Sequence, residues 1–380
     1  MEQATEKRPA SSAQVLLSVQ ALRGIAVLAV VCIHIQLYFS SKLQRPDFLP
    51  QFNIGAASVD VFFVISGFIM VYASERLFGQ AGAKRLYFLR RLARIVPMYW
   101  VATTIMLVYI IRQYGGVANA TGGAGLDYVI CSYLFIPYGR PHDWGAPILG
   151  VGWTLIFEVY FYGLFGLLVM WPRRAVVLTV TAFFIAMIAL GQIFPTLPNP
   201  IGYWTHPLII EFVFGMFIAL AYRNGVRISR PLVYLLVTAG LAVLFWSWRQ
   251  EHFFKPDSIE RVFVWGLPAF AIVGAFALAA QPVPRNRFWQ VFGFFGDASY
   301  SLYLFHTLAL GVPAMFLSRY IDLASQPWLH LAFILVSTLA PGLLIYVFVE
   351  KPFTGYLQRR IEGKRQPQPA AVPLVLTSPP

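Results

Sequence analysis

The stretch LRGIAVLAVVCIHIQ, residues 22–36, places Arg23 and His34 inside an apolar run long enough to cross a bilayer. An ionisable side chain near the centre of a membrane helix costs at least about 2.5 kcal/mol, so such a residue faces the bundle interior and points to function. At 3.6 residues per turn, a separation of 11 residues is close to three full turns. The two side chains therefore share one helix face, about 16 Å apart along the axis. They cannot touch, but they can line one path, with the arginine at its mouth and the histidine deep inside. Arginine also occurs at helix ends by snorkelling alone, yet it suits phosphate recognition, and histidine suits proton transfer or nucleophilic attack near neutral pH. Together they point to a long phosphorylated substrate whose reactive end reaches inward.

The rest of the chain agrees with a membrane setting. Its 380 residues are 58% hydrophobic and 12% charged, with a mean hydropathy of +0.65; ordinary soluble proteins are about 25% charged. A span needs roughly 20 apolar residues, and ten such segments occur, near 15–38, 55–74, 95–112, 148–171, 175–194, 204–222, 231–248, 260–280, 299–317 and 329–349. The expected fold is all-α, a polytopic membrane bundle of about ten transmembrane helices. A cytoplasmic N-terminal segment, 1–14, precedes the transmembrane domain, 15–353. A Pro-rich, largely disordered cytoplasmic tail, 354–380, follows it. With the N-terminus inside, 21 of the 29 Lys and Arg residues fall on the cytoplasmic side. Both termini are therefore expected in the cytoplasm, and the first helix, too long for a secretory signal and without an A-x-A site, remains uncleaved. The net charge of +13 is mostly this topological excess, so no nucleic-acid partner is implied.

Other polar groups share the apolar segments. In KRLYFLRRLARIVPMYW, residues 84–100, Arg90, Arg91 and Arg94 form a cluster able to grip phosphates, with Arg90 and Arg94 pointing the same way. A basic cytoplasmic loop is also what topology demands there. In GWTLIFEVYFYG, residues 152–163, Thr154, Glu158 and Tyr162 recur every four residues as a polar stripe. A carboxylate in that position is paired or protonated, and Glu158 is suited to orient His34 or to bind an acceptor hydroxyl. Ser299, Tyr303 and His306 share a face of FGDASYSLYLFHTLAL, residues 295–310, which makes His306 a second candidate base. Asp60 and Glu211 are further intramembrane carboxylates without an evident partner. His206, His252 and His330 fall near outer ends of spans, and His142 falls in the Gly-rich outer loop 113–147. Cys32 and Cys131 are the two cysteines, too few for a disulfide framework or a CxxC site. No HExxH, Walker A, GxSxG or zinc-spaced cluster occurs, and no metal is expected.

These stretches, taken in order, resemble the membrane-bound acyltransferase 3 family, in particular its bacterial exopolysaccharide O-acetyltransferase branch. LRGIAVLAVVCIH, VDVFFVISGF at 59–68, FLRRLARIVPMYW at 88–100 and SYSLYLFH at 299–306 carry the resemblance. GWTLIFEVYFY at 152–162 and VFVEKPF at 347–353 add to it. The resemblance implies acyl transfer, usually of acetyl from cytoplasmic acetyl-CoA, to a hydroxyl of an exported or lipid-linked glycan at the bacterial inner membrane. Acyl-CoA is then a donor substrate, with no bound cofactor. By position, the family's Arg-x10-His motif falls on Arg23 and His34, and its basic motif on Arg90, Arg91 and Arg94. The chain departs from the lipopolysaccharide-modifying subgroup in having no C-terminal periplasmic esterase-like domain. It also carries WTLIFEVYFY where that subgroup resembles WSLxVEEQFY, which leaves the acceptor open.

The expected mechanism places CoA phosphates on Arg23 and the Arg90–Arg94 cluster. His34 acts as general base or as covalent acyl carrier, Glu158 supports it, and Asp60, Tyr162, Tyr303 and His306 line the polar pathway. The alternative is a transporter or flippase for a lipid-linked glycan. The paired, Gly/Pro-interrupted helices of many transporters do not occur here.

Overall fold

The computed structural model describes residues 12–41, 48–49, 53–121, 123–139, 145–249, 259–281, 283–284, 286–317 and 326–363. Every one of the ten apolar segments is helical: α1 (Ser12–Ser41), α2 (Ser58–Ala73), α3 (Ala83–Tyr114), α4 (Trp153–Leu168), α5 (Arg173–Ile193), α6 (Ile210–Arg223), α7 (Arg230–Arg249), α8 (Ile259–Leu278), α10 (Ser299–Leu317) and α11 (Pro327–Ile345). Two further helices, α9 (Arg287–Asp297) and α12 (Lys351–Glu362), complete the main architecture. Eight helices among the described residues are long and apolar enough to cross a membrane. The protein is an all-α, multi-pass membrane protein.

Two segments are longer than hydropathy alone indicates. Helix α3 begins at Ala83, a full three turns before the expected start, because the basic stretch is itself helical and buries Tyr87 and Ile95. It ends at Gly115, whose left-handed φ of 73° lets its N–H reach Ile111 O at 2.9 Å. Helix α11 runs through a five-residue π-helical turn, Tyr346–Glu350, into α12. The expected tail thus starts as helix to Glu362, while residues 364–380 and the N-terminal residues 1–11 lie outside the described residues.

Close backbone contact organises the bundle. A Cβ on Gly24 of α1 would lie 2.1 Å from Phe292 O, and one on Gly296 of α9 would lie 1.8 Å from Gln20 O. A Cβ on Gly215 of α6 would similarly fall 1.9 Å from Val64 O of α2. Only small residues permit such approaches, which in membranes substitute for the missing hydrophobic drive between helices. Phenylalanines fill the space between α2, α4 and α6; Phe161 stacks on Phe212 with 4.6 Å between ring centres.

Helices α2, α4 and α6 have 16, 16 and 14 residues, each entered through a 3-10 turn, at Asn53–Ala57, Gly150–Gly152 and Pro207–Ile209. At 1.5 Å per residue they measure only about 21–24 Å, shorter than the ≈ 30 Å hydrocarbon core. The α3–α4 connection, read from sequence as a Gly-rich outer loop, forms two short helices, Val117–Thr121 and Leu126–Tyr133, and packs against the bundle through the buried Ser132, Phe135, Ile148 and Leu149. Tyr99 OH donates to Ser132 O at 2.8 Å, with about 22 Å of α3 beyond it. Tyr303 OH donates to Val151 O at 3.0 Å, with about 21 Å of α10 beyond it. Irregular backbone at that depth survives only inside protein. Accordingly Ser132 Oγ donates to Tyr128 O at 2.8 Å and accepts from Ile148 N–H at 3.0 Å.

Candidate active site

Helices α1, α2, α3, α4 and α10 enclose a cavity of about 90 Å³. Arg23, Arg91 and Arg94 bring three guanidinium groups to its wall; Ser66, Thr154, Glu158, Tyr162, Ser299, Tyr300 and Tyr303 supply the other polar groups. Phe62, Phe63, Ile65 and Ile69 of α2 make the rest apolar.

Each arginine is placed by its helix. Arg23 Nη2 donates to Ser299 Oγ at 2.8 Å and Nη1 to Gln20 Oε1 at 3.1 Å, while Gln20 Nε2 donates to Asp297 Oδ1 at 2.7 Å. The α1–α9 contact through Gly24 and Gly296 therefore fixes the side chain that precedes Gly24. Arg91 lies over the Tyr87 and Tyr162 rings, 5.9 and 5.8 Å from their centres. Arg91 and Arg94, three residues apart, both reach the cavity. Arg90 differs from the sequence expectation: it is not among the cavity residues and pairs at 2.7 Å with Glu362 of α12. Near this end, Tyr300 OH donates to Ile95 O at 2.6 Å, and the buried Glu350 accepts from Ser301 Oγ at 2.5 Å.

The stripe on α4 faces the same cavity. Glu158 Oε1 accepts hydrogen bonds from Ser66 Oγ of α2 and from Tyr162 OH one turn along. Among the described residues its hydrogen bonds go to these hydroxyls and not to either histidine. Thr154 Oγ1 and Tyr303 OH are 2.8 Å apart, closing the cavity beneath Val151 O.

His34 and His306 lie beyond Tyr303. Neither borders the cavity, but Tyr303 does, and its ring centre is 5.9 Å from that of His306. The His306 ring is in turn 4.7 Å from that of His34, edge to face at 73°. Arg23 meets Ser299 and His34 meets His306, so the shared face of α1 is the one turned to α10. His34 Nδ1 is 2.8 Å from Val30 O; His306 Nδ1 is 2.8 Å from Tyr303 O and 3.1 Å from Leu302 O. Carbonyl oxygens only accept, so each Nδ1 carries the hydrogen and each Nε2 presents a lone pair.

Asp60 does not line the cavity, although Val59, Phe62 and Phe63 beside it on α2 do. It forms a two-pronged ion pair with Arg261 of α8, at 3.1 and 2.8 Å, with side chains 0% and 4% exposed. Glu211 of α6 is fully buried beside it. Sequence reading left both acids without partners because Arg261 opens its apolar run and reads there as a flanking cation. It also passed over Ser66, Gln20 and Glu350. The serine in VISGF was detectable as a polar residue facing inward from an otherwise apolar helix, but no pattern within one segment names a partner on another.

The acyltransferase domain family, Acyl_transf_3, matches residues 16–347. The chain is 33% identical to the exopolysaccharide production protein ExoZ of Rhizobium meliloti (strain 1021) over 333 residues, 83% of this chain and 93% of that one. It is 26% identical to the acyltransferase MdmB of Streptomyces mycarofaciens over 385 residues, 93% and 95% of the two chains. Identity to the peptidoglycan O-acetyltransferase OatA of Listeria monocytogenes is 22% over 372 residues, 88% of this chain and 55% of that longer protein. No solved structure matches. A match across nearly the whole length, on a helical membrane bundle, means that this chain belongs to the acyltransferase 3 family and is a membrane O-acyltransferase.

Proposed function

We propose that the protein transfers an acetyl group from cytoplasmic acetyl-CoA to a hydroxyl of an exported or lipid-linked polysaccharide at the bacterial inner membrane. The observation that carries the reading is the cavity where Arg23, Arg91 and Arg94 meet Glu158 and Ser66. Three guanidiniums in a partly apolar pocket suit the diphosphate and ribose phosphate of CoA, each able to bind in bidentate fashion. Arg90 is the outer member of the cluster, and its tie to Glu362 holds α12 against the basic end of α3. The 21 cytoplasmic cations support an N-in, C-in orientation, which puts the arginines on the side where CoA is found. The polysaccharide acceptor follows from the similarity to ExoZ, named for exopolysaccharide production, and OatA, named for peptidoglycan.

In the reaction, the acceptor oxygen attacks the thioester carbonyl. Its proton passes to a base, and the sulfur leaves and is protonated. His34 is that base. Its Nδ1 hydrogen is fixed on Val30 O, which orients the Nε2 lone pair. Glu158, with its hydroxyl partners Ser66 and Tyr162, is suited to hold polar groups of the incoming substrate.

The test uses protein in lipid vesicles with radiolabelled acetyl-CoA and polysaccharide stripped of esters by mild alkali. His34→Ala is expected to lower kcat by about 10²–10⁴-fold, the usual contribution of a positioned base. Arg23→Ala is expected to raise KM for acetyl-CoA more than it lowers kcat. Transfer by His34→Ala at the wild-type rate overturns the mechanism. Passage of lipid-linked glycan across the vesicle without any use of acetyl-CoA overturns the reading in favour of a transporter.

A further inference from the structure

We infer that the aromatic cluster where the end of α1 meets the start of α11, with His330 inside it and Trp328 at its rim, binds a sugar ring of the polysaccharide acceptor. The inference rests on the polysaccharide reading above. It starts from a buried group that packing does not explain. His330 is 2% exposed, yet no hydrogen-bond partner reaches its Nδ1 or its Nε2 among the described residues. Polar atoms left unpaired in the interior are costly, and phenylalanine would fill the same space without that cost.

The surroundings of His330 are aromatic and continue outward from His34. Phe39 of α1 packs with Leu310 of α10 and Ile334 of α11 in a small apolar core of its own. The ring centres of Tyr38 and Phe39 lie 5.9 and 5.3 Å from that of His330. Phe48 stacks on Phe39 at 5.0 Å and meets Trp328 edge to face at 4.9 Å, while Trp328 itself stays 70% exposed. Tyr38 comes four residues after His34, so it continues the same helix face about 6 Å further along α1. On the proposed N-in orientation that direction is outward, and the cluster stands on the acceptor's approach to His34.

The chemistry suits a sugar and not a lipid chain. A sugar ring offers a C–H face to stack on an indole, and hydroxyls that both donate and accept. A neutral imidazole needs one donor and one acceptor for its two nitrogens. A lipid chain would cover the rings and leave both nitrogens as they are. Tryptophan also gathers at membrane–water interfaces as a belt; a belt accounts for the exposed indole but not for an unpaired imidazole two residues further on. Trp328 is thus the first contact, and rotation of Tyr38 opens His330 to a hydroxyl of the stacked ring.

Trp328→Ala removes the stacking face, and His330→Phe keeps the packing while removing both nitrogens. Trp246→Ala, a 52% exposed tryptophan of α7, is the control for a belt. All three are assayed in vesicles with radiolabelled acetyl-CoA and alkali-stripped polysaccharide. Trp328→Ala and His330→Phe are each expected to raise KM for the polysaccharide about tenfold, the loss of one contact, with KM for acetyl-CoA unchanged and Trp246→Ala like wild type. Polysaccharide KM unmoved in His330→Phe, or raised equally in Trp246→Ala, overturns the inference. If the variants do not fold, oxidation of wild-type indoles by a pulse of hydroxyl radicals decides. Added polysaccharide is expected to protect Trp328 and not Trp246. A Trp328 that is never oxidised, or is oxidised equally with and without polysaccharide, overturns the inference. Wild type that never uses acetyl-CoA, with Trp328 still protected, brings down the donor reading and leaves the sugar site. Wild type that transfers acetyl, with His330→Phe and Trp328→Ala unchanged in polysaccharide KM, brings down this inference alone.

Discussion

Asp60 accepts two hydrogen bonds from Arg261 where water has almost no access, and the fully buried Glu211 lies against Asp60. Two acids and one guanidinium share one buried site, so removing the cation leaves Asp60 uncompensated. Arg261→Met is expected to destabilise the protein by about 3–5 kcal/mol, the usual cost of breaking a buried pair from one side. Glu211→Gln removes one acid, supplies an N–H for Asp60, and is expected to leave stability equal or higher. Thermal unfolding in detergent measures both; Glu211→Gln melting below Arg261→Met would show that Glu211 and not Arg261 holds the site together. Glu211 does not line the arginine cavity, so the surviving Glu211→Gln protein is expected to keep its KM for acetyl-CoA.

At the scale of elements, the α1–α9 contact links packing to the site. A Cβ on Gly296 would sit 1.8 Å from Gln20 O, and Gln20 holds Arg23. Gly296→Ala must push α9 from α1, at about 1–3 kcal/mol or more for an overpacked contact. Arg23 then loses its fixed orientation, and KM for acetyl-CoA is expected to rise while kcat changes less. An unchanged KM in a folded Gly296→Ala protein would separate the contact from the site. This coupling was not legible in FGDASYSLYLFH, whereas the helices were, because apolar length alone marks a span. The shared face of Arg23 and His34 was legible from the period of 3.6, as was the Thr154–Glu158–Tyr162 stripe. Hydropathy missed the first three turns of α3, since charge does not stop a helix, and with them the divergence of Arg90 from Arg91 and Arg94. Partners such as Ser66 for Glu158, or Arg261 for Asp60, depend on helix rotation and neighbour order, which no single segment encodes.

For the whole molecule, the α3–α4 connection packed against the bundle changes the distance an acyl group must travel. The short helices α2, α4 and α6 stop well below the outer ends of α3 and α10, and Val151 meets Tyr303 roughly 21 Å beneath the end of α10. On the proposed N-in orientation, the arginine cavity lies to the cytoplasmic side of His34 and His306. Cys131, on the helix Leu126–Tyr133 within the connection, reports on that geometry. Burial and, next, the Asp127 carboxylate raise its thiol above the ordinary range. The thiolate is the reactive form, so labelling by a membrane-impermeant maleimide is expected from the outer side only, slowly at neutral pH and faster as pH rises. Asp127→Asn removes the negative neighbour and is expected to speed labelling at a given pH. Glu362→Cys, on the helix tied to Arg90, is expected to react only from the cytoplasmic side. Cys131 and Glu362→Cys labelled from the same face would reverse one end of α3 and remove the two-sided access on which transfer from an inner donor to an outer acceptor depends.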